Sequence, residues 1–451
     1  MMGNKLVVIG GDAAGMSAAS KVRRVQPERE IVVFEKSEYT SYSACGIPYF
    51  ISGMVPDMEE LIARTPKQFR DNYDIDVRTQ CEVVAVNTVD KKIKVLNKGN
   101  DTTFWQNYDD LLIATGGKAI CPDIEGKNAK NVFGISTLKS GEKTERYIED
   151  KNPKKAVIVG AGYIGLEMAE ALIIRGLEVT IIDRSEQVMG TLDPDMAEKI
   201  AEAIIELGIT LHLKEDLKEF EISSNQVVAV KSDKRTISTD MVILGMGTLP
   251  NTVFLENSGI ELGTKNAIKV NNKMQTNVAN VWAAGDCTAT FDIVSQNYKH
   301  IALGTIANKT GLVAGSNLAN EPITFPGVVG TAVTKICDYE VARTGLTEKE
   351  LKKLNIEYVT GTIKSKTRAG YYPDAEDITV KLLAEKKTGR LLGGQIIGKE
   401  GAAKRIDVLA TALTTKLTLQ NIIDLDLSYA PPFSPVWDPV QTAARYLIKK
   451  I

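Results

Sequence analysis

Lys5-Leu-Val-Val-Ile-Gly10-Gly11-Asp12-Ala13-Ala14-Gly15 and Ala156-Val-Ile-Val-Gly160-Ala-Gly162-Tyr163-Ile164-Gly165 share one plan, about 150 residues apart. Each is an apolar strand, a tight glycine turn and a helix start rich in small residues. A second strand follows each turn and ends in an acid. Ile31-Val-Val-Phe-Glu35 places Glu35 20 residues after Gly15, and Glu178-Val-Thr-Ile-Ile-Asp183 places Asp183 18 residues after Gly165. This is the spacing of a dinucleotide site, with pyrophosphate on the helix N-terminus and the acid on a ribose hydroxyl. The second turn has all three glycines. In the first, the middle position is Asp12, which sets a carboxylate near two phosphates.

Two such turns in one chain separate enzymes holding two dinucleotides from single-cofactor dehydrogenases. The pair expected is a flavin and a nicotinamide, since a bound flavin needs an external hydride donor. Asp183 favours the free 2′-hydroxyl of NADH, while Arg184 beside it leaves NADPH possible. Asp110-Leu-Leu-Ile-Ala114-Thr115-Gly116 and Asp240-Met-Val-Ile-Leu-Gly-Met-Gly247 read as strands running into glycine that return the chain between the nucleotide domains. Val281-Trp-Ala-Ala-Gly285-Asp286 ends a further strand in an acid suited to a ribityl hydroxyl.

At 451 residues the chain has room for about three domains. Its 43% hydrophobic and 25% charged residues argue against long disorder, and a net charge of -2 gives no field directed at nucleic acid or membrane. The apolar run after Lys5 breaks at Gly10, too short for a signal or membrane segment, so the chain reads as cytoplasmic. Five widely spaced cysteines without a C-x-x-C pair indicate neither a metal site nor a disulfide framework.

Taken together these residues resemble the pyridine nucleotide–disulfide oxidoreductases over essentially the whole chain. The resemblance implies an α/β fold with two Rossmann-like domains: an FAD domain from residues 1–117 and 247–325, and an NAD(P) domain from 118–246 inserted between them. Residues 326–451 would form an α/β dimerisation domain. It implies FAD contacts at Gly10, Gly11, Ala13, Ala14, Gly15, Glu35, Lys36, Ala114, Thr115, Gly116, Gly285, Asp286 and Ala302. Nicotinamide dinucleotide contacts fall at Gly160, Gly162, Tyr163, Ile164, Gly165, Glu167, Asp183, Arg184 and Gly247.

Many members carry a C-x4-C dithiol after the first ribose acid. Here Ser41-Tyr-Ser-Ala-Cys45-Gly-Ile-Pro-Tyr is preceded by Thr40, so Cys45 has no local partner. The segment is similar to the single-cysteine branch: coenzyme A disulfide reductases, persulfide and polysulfide reductases, NADH oxidases and peroxidases. There the cysteine faces the flavin, and the helix start read at Gly46-Ile-Pro48 is expected to depress its pKa. Cys287 reads as a packed residue. Oxygen-reducing relatives present a histidine where this chain has Ala13, and no histidine follows residue 326, so tyrosine becomes the expected proton donor. Tyr371, Tyr372 and Tyr429 match functional tyrosines of coenzyme A disulfide reductases, the last reaching the partner subunit's site; packed loop aromatics are the other reading.

Ser17, Lys21 and Arg24 fall on one helical face and, with Ser41 and Asn308, match coenzyme A contacts; a solvated basic face is the alternative. A lysine usual in the family aligns near Tyr73, a loss for which Arg64, Lys67 and Arg70 are expected to compensate. The leading expectation is NAD(P)H-dependent reduction of a coenzyme A-derived disulfide, persulfide or polysulfide by a homodimer. The end of the sequence at Ile451, without a fused rhodanese domain, weighs against the persulfide. An NADH oxidase working through a sulfenate, and an electron carrier serving a protein partner, are the alternatives.

Overall fold

The computed structural model describes residues 5–451. Leu6–Ile9, Ile31–Phe34 and Asp110–Ile113 are wholly buried runs of branched side chains, the pattern of parallel strands covered on both faces. They form a five-stranded sheet in the order 281–283, 110–113, 6–9, 31–34, 76–78. Helix Ala13–Val25 packs along helix Gly304–Leu318. Their backbones approach so closely that a Cβ on Gly311 would lie 2.3 Å from the Ala14 carbonyl oxygen. An antiparallel meander, residues 81–107, contributes Val83, Ile93 and Val95 to the same core.

A second parallel sheet repeats the theme in the order 210–213, 178–183, 155–159, 241–244, 132–134. Helix Tyr163–Ile174 and helix Pro194–Glu206 supply Leu166, Leu172, Ile200 and Ile204 to one core. A three-stranded meander, 217–238, closes the other face with Phe220 and Val230. The chain crosses between the two sheets twice, and the crossings lie side by side: Gly117–Ala119 pairs antiparallel with Thr248–Pro250.

The third unit is an antiparallel sheet in the order 332–336, 339–345, 391–398, 377–385, 358–366, backed by helices Ile406–Thr414 and Pro439–Leu447. Its junction with the second unit is ionic. Lys381, whose side chain is only 3% exposed, lies 2.6 Å from both Asp195 and Glu348 and 3.3 Å from Asp193. Asp193 also accepts from Gln395 Nε2 at 2.7 Å and from the Glu348 amide at 2.9 Å. A buried ammonium survives only with such compensation. Among the described residues no helix is long and apolar enough to cross a membrane.

Candidate active site

The two glycine turns superpose in their logic. Gly10 and Gly160 take φ values of +106° and +111°, closed to other L-residues without strain. At Gly15 and Gly165 a Cβ would fall 1.9 Å from the carbonyl oxygen of Gly10 and Gly160, so helix and turn touch at backbone distance. Each acid braces its own turn: Glu35 accepts from the Gly11 amide at 2.8 Å, and Asp183 from the Ala161 amide at 2.6 Å. The other oxygen of each accepts from the amide two residues on, Ser37 and Ser185. Bracing by the carboxylates leaves them further lone pairs for a ribose. Arg184 is exposed and Lys36 half-buried.

The middle positions differ. Gly162 faces open space, the room a pyrophosphate needs. Asp12 instead turns its carboxylate to the next loop, where Oδ1 accepts from the Tyr42 amide at 3.1 Å. Burial, with the charges of Glu35 and Asp286 nearby, pushes Asp12 up to about 6.

Just beyond strand Val281–Ala283, half-buried Asp286 holds a buried Oδ1 that has no partner among the described residues. Burial pushes this carboxyl up to about 6 as well. A buried acceptor left without a donor at the C-terminal edge of a nucleotide sheet fits a ribityl hydroxyl, and with the first turn it fits an FAD. His300 Nε2 sits 2.9 Å from the Asp286 carbonyl oxygen.

Cys45 lies in a single 3-10 turn, Ala44–Gly46, directly before helix Ile47–Ser52, with Pro48 in its first turn. The expected helix start is present, but the expected depression of the thiol is not. The thiol is accessible, yet desolvation raises its pKa, and the charges of Glu167, Asp286 and Asp12 add to that rise. A six-residue helix is a weak opposing field against three carboxylates supplied by distant segments. These same three acids mark out the space around the sulfur. Tyr49, on the helix after Cys45, is itself raised by burial and then by Glu167.

Glu167 is fixed from outside its own unit. Thr334, in the third sheet, donates its hydroxyl to Glu167 Oε1 at 2.6 Å, and burial raises the carboxyl. Nothing local in the sequence points to Thr334, because the contact spans 167 positions. Tyr163 is half-buried, its hydroxyl 3.4 Å from that of Thr191. Of the other thiols, Cys287 is fully buried with its sulfur 3.3 Å from the Ala284 carbonyl oxygen, Cys81 is in the meander core, Cys337 is half-buried in the turn after strand Ala332–Ile336, and Cys121 is exposed just after strand Gly117–Ala119. Thr40, where a dithiol would carry the second sulfur, is 0% exposed and bonds to the Arg64 carbonyl.

Ser17 and Asn308 join at 2.9 Å on the surface of the paired helices, with exposed Arg24 further along the same helix. Lys21 pairs with Glu321 at 2.6 Å, so its ammonium is already engaged. Ser41 lies on the loop leading to Cys45, tied to the first turn through its amide on Gly11. The expected compensation for the lost lysine is weakened: Lys67 pairs with Asp71, Arg70 bonds the Val77 carbonyl, and Arg64 stacks on Tyr73. Tyr371 and Tyr429 meet each other, a hydrogen bond between them raising the Tyr429 phenol, while Tyr372 is half-buried beside them. With Phe433, Val436 and Trp437 they leave an apolar strip open on the third unit. The charges that act on Cys45 come from the other two units, and these tyrosines are not among them.

Relatives agree over the full length. The chain is 38% identical over 449 residues to an NADH oxidase of Methanocaldococcus jannaschii, covering 99% of each. It is 39% identical over 447 residues to a CoA-dependent NAD(P)H sulfur oxidoreductase of Pyrococcus furiosus, covering 98% and 99%. A coenzyme A disulfide reductase of Staphylococcus haemolyticus is 33% identical over 437 residues, covering 95% and 96%. Among solved structures, reduced Bacillus anthracis CoADR-RHD matches at TM-score 0.95 and 35% identity, over 99% of this chain and 80% of that one. An NAD-dependent persulfide reductase from A. fulgidus matches equally well, over 99% and 83%. Residues 4–311 fit the model of the pyridine nucleotide-disulphide oxidoreductases and residues 331–439 that of their dimerisation domain; the chain belongs to this family.

Proposed function

We propose that this protein uses NAD(P)H to reduce coenzyme A disulfide, or a related persulfide or polysulfide, through Cys45. The observation that carries the reading is an accessible thiol without a neighbouring cysteine in its own loop, with Thr40 where a second sulfur would stand and with the charges of Glu167 and Asp286 acting on it. FAD and NAD(P)H are the family's cofactors, and when bound they supply the electron pair to sulfur. The chain's residues do the rest. The Cys45 thiolate attacks one sulfur of the disulfide, expels the other as a thiolate and is left as a mixed disulfide. Two electrons and a proton then restore the Cys45 thiolate and release the second thiol. Ser17, Lys21, Arg24, Ser41 and Asn308 are proposed to hold the coenzyme A moiety. Asp183 is proposed to favour NADH over NADPH.

The family's dimerisation domain supports a homodimer. We assign Tyr429, with Tyr371 and Tyr372, to the partner subunit's active site as hydrogen-bond donors to the leaving thiolate. The support is their open apolar strip on the dimerisation domain. The divisions after residues 117, 246 and 325, and a cytoplasmic location, belong to the same proposal.

The M. jannaschii relative's name supports one other reading, oxygen reduction. Ala13 in the first turn weighs against it. Anaerobic stopped-flow with coenzyme A disulfide, set against turnover with oxygen, separates the two. Saturable disulfide turnover is expected; oxygen turnover far exceeding it would replace this proposal.

A further inference from the structure

Asp12 occupies the position that the second turn leaves to Gly162, and it caps the helix it precedes through its backbone carbonyl, which accepts from the Met16 amide at 2.9 Å. As the residue before helix Ala13–Val25 it makes no side-chain cap bond. Its carboxylate reaches across to the Tyr42 amide at 3.1 Å. Beside it the Ser41 amide donates to the Gly11 carbonyl at 3.1 Å, and the Thr40 methyl lies 2.9 Å from where a Gly11 Cβ would be. Residues 40–42 are therefore stitched to residues 11–12 by two hydrogen bonds, with Thr40 filling the space beside Gly11. Ser41 holds a left-handed backbone, φ +45°, a conformation that persists in a serine only where its surroundings enforce it. Cys45 follows Tyr42 by three residues, in a single 3-10 turn.

We propose that Asp12 is a positioning residue that straps the loop of the redox cysteine to the dinucleotide turn, so that sulfur and flavin pocket keep one fixed relation. The proposal rests on the reading of Cys45 as the redox thiol. The charge of Asp12 works against its neighbours. It faces Glu35 from the end of strand Ile31–Phe34, Asp286 from beyond strand Val281–Ala283, and Tyr42 and Cys45 on the loop, with Glu167 across from the sulfur. An acid kept in that company serves through its acceptor oxygen. Asparagine would retain the acceptor and remove the charge, whereas alanine removes both.

The test uses holoenzyme: wild type, Asp12→Asn and Asp12→Ala. Two rates are measured: iodoacetamide alkylation of Cys45 against pH, located by peptide mass, and FAD release followed by flavin fluorescence. For Asp12→Asn the limiting alkylation rate and FAD release should stay within about twofold of wild type, while the alkylation midpoint moves to lower pH. For Asp12→Ala the midpoint should fall similarly, but limiting alkylation and FAD release should both rise about fivefold, the scale of one lost hydrogen bond. Should Asp12→Ala not accumulate folded, Asp12→Gly, which copies the second turn, replaces it. The proposal is overturned if the alanine or glycine variant matches Asp12→Asn in both limiting rates. Neither readout uses a disulfide substrate, so failure of the coenzyme A assignment leaves this test intact.

Discussion

Burial first, and then the charges of Glu167, Asp286 and Asp12, oppose ionisation of the Cys45 thiol. Glu167 is the strongest of these charges, so Glu167→Gln should lower the Cys45 pKa and raise its alkylation rate at neutral pH several-fold. An unchanged pH profile would show that Glu167 does not face the sulfur. Asp286 gives a second residue-scale prediction, with a definite sign. Its folded pKa, about 6, lies above the ordinary 3.8, so the folded chain holds this proton more tightly than the unfolded one. Stability of FAD-stripped protein is therefore lost as pH rises from about 4 to 6. Asp286→Asn should make stripped protein more stable at pH 7.5 by on the order of 2 kcal/mol, with the gap closing toward pH 4. Thermal melts at both pH values check this, and the same variant should retain FAD less well than wild type.

At the scale of elements, the turns were legible because their chemistry is local: strand, glycines, helix and acid lie within about 30 residues. The backbone approach at Gly15 and Gly165 makes the two turns separable by experiment. Gly15→Ala should abolish FAD retention. Gly165→Ala should leave the flavin spectrum intact and weaken NADH binding at least about tenfold, since its Cβ has nowhere to go. Titration of each purified variant with NADH, monitored by flavin reduction, reads both. What the sequence did not disclose were contacts between segments far apart in the chain. Thr334 on Glu167, the Tyr42 amide on Asp12 and Lys21 on Glu321 each join segments at least 30 positions apart. The Cys45 shift runs opposite to the expectation from its local sequence for the same reason. The short helix after it is visible locally, whereas the burial of the thiol and the opposing acids come from packing with other elements.

Across the whole molecule, the second unit must hold a fixed pose toward the first and third units for an electron pair from nicotinamide to pass by way of the flavin to the sulfur. Lys381 is the node of that pose, since it binds Asp193 and Asp195 of one unit and Glu348 of the other. Lys381→Met would leave the buried Asp193 without its cation and should destabilise the protein by about 3–5 kcal/mol, read by denaturant unfolding. A loss below about 1 kcal/mol would mean the cluster is solvated and not a junction.

On the proposed function, one cysteine, Cys45, forms the mixed disulfide with the substrate's sulfur. Intact-mass and peptide mass spectrometry after anaerobic incubation with coenzyme A disulfide tests it most directly. One coenzyme A per chain is expected, disulfide-linked to Cys45, absent from Cys45→Ser and discharged by NADH. An adduct on another cysteine, no adduct at all, or one that NADH cannot remove would contradict it.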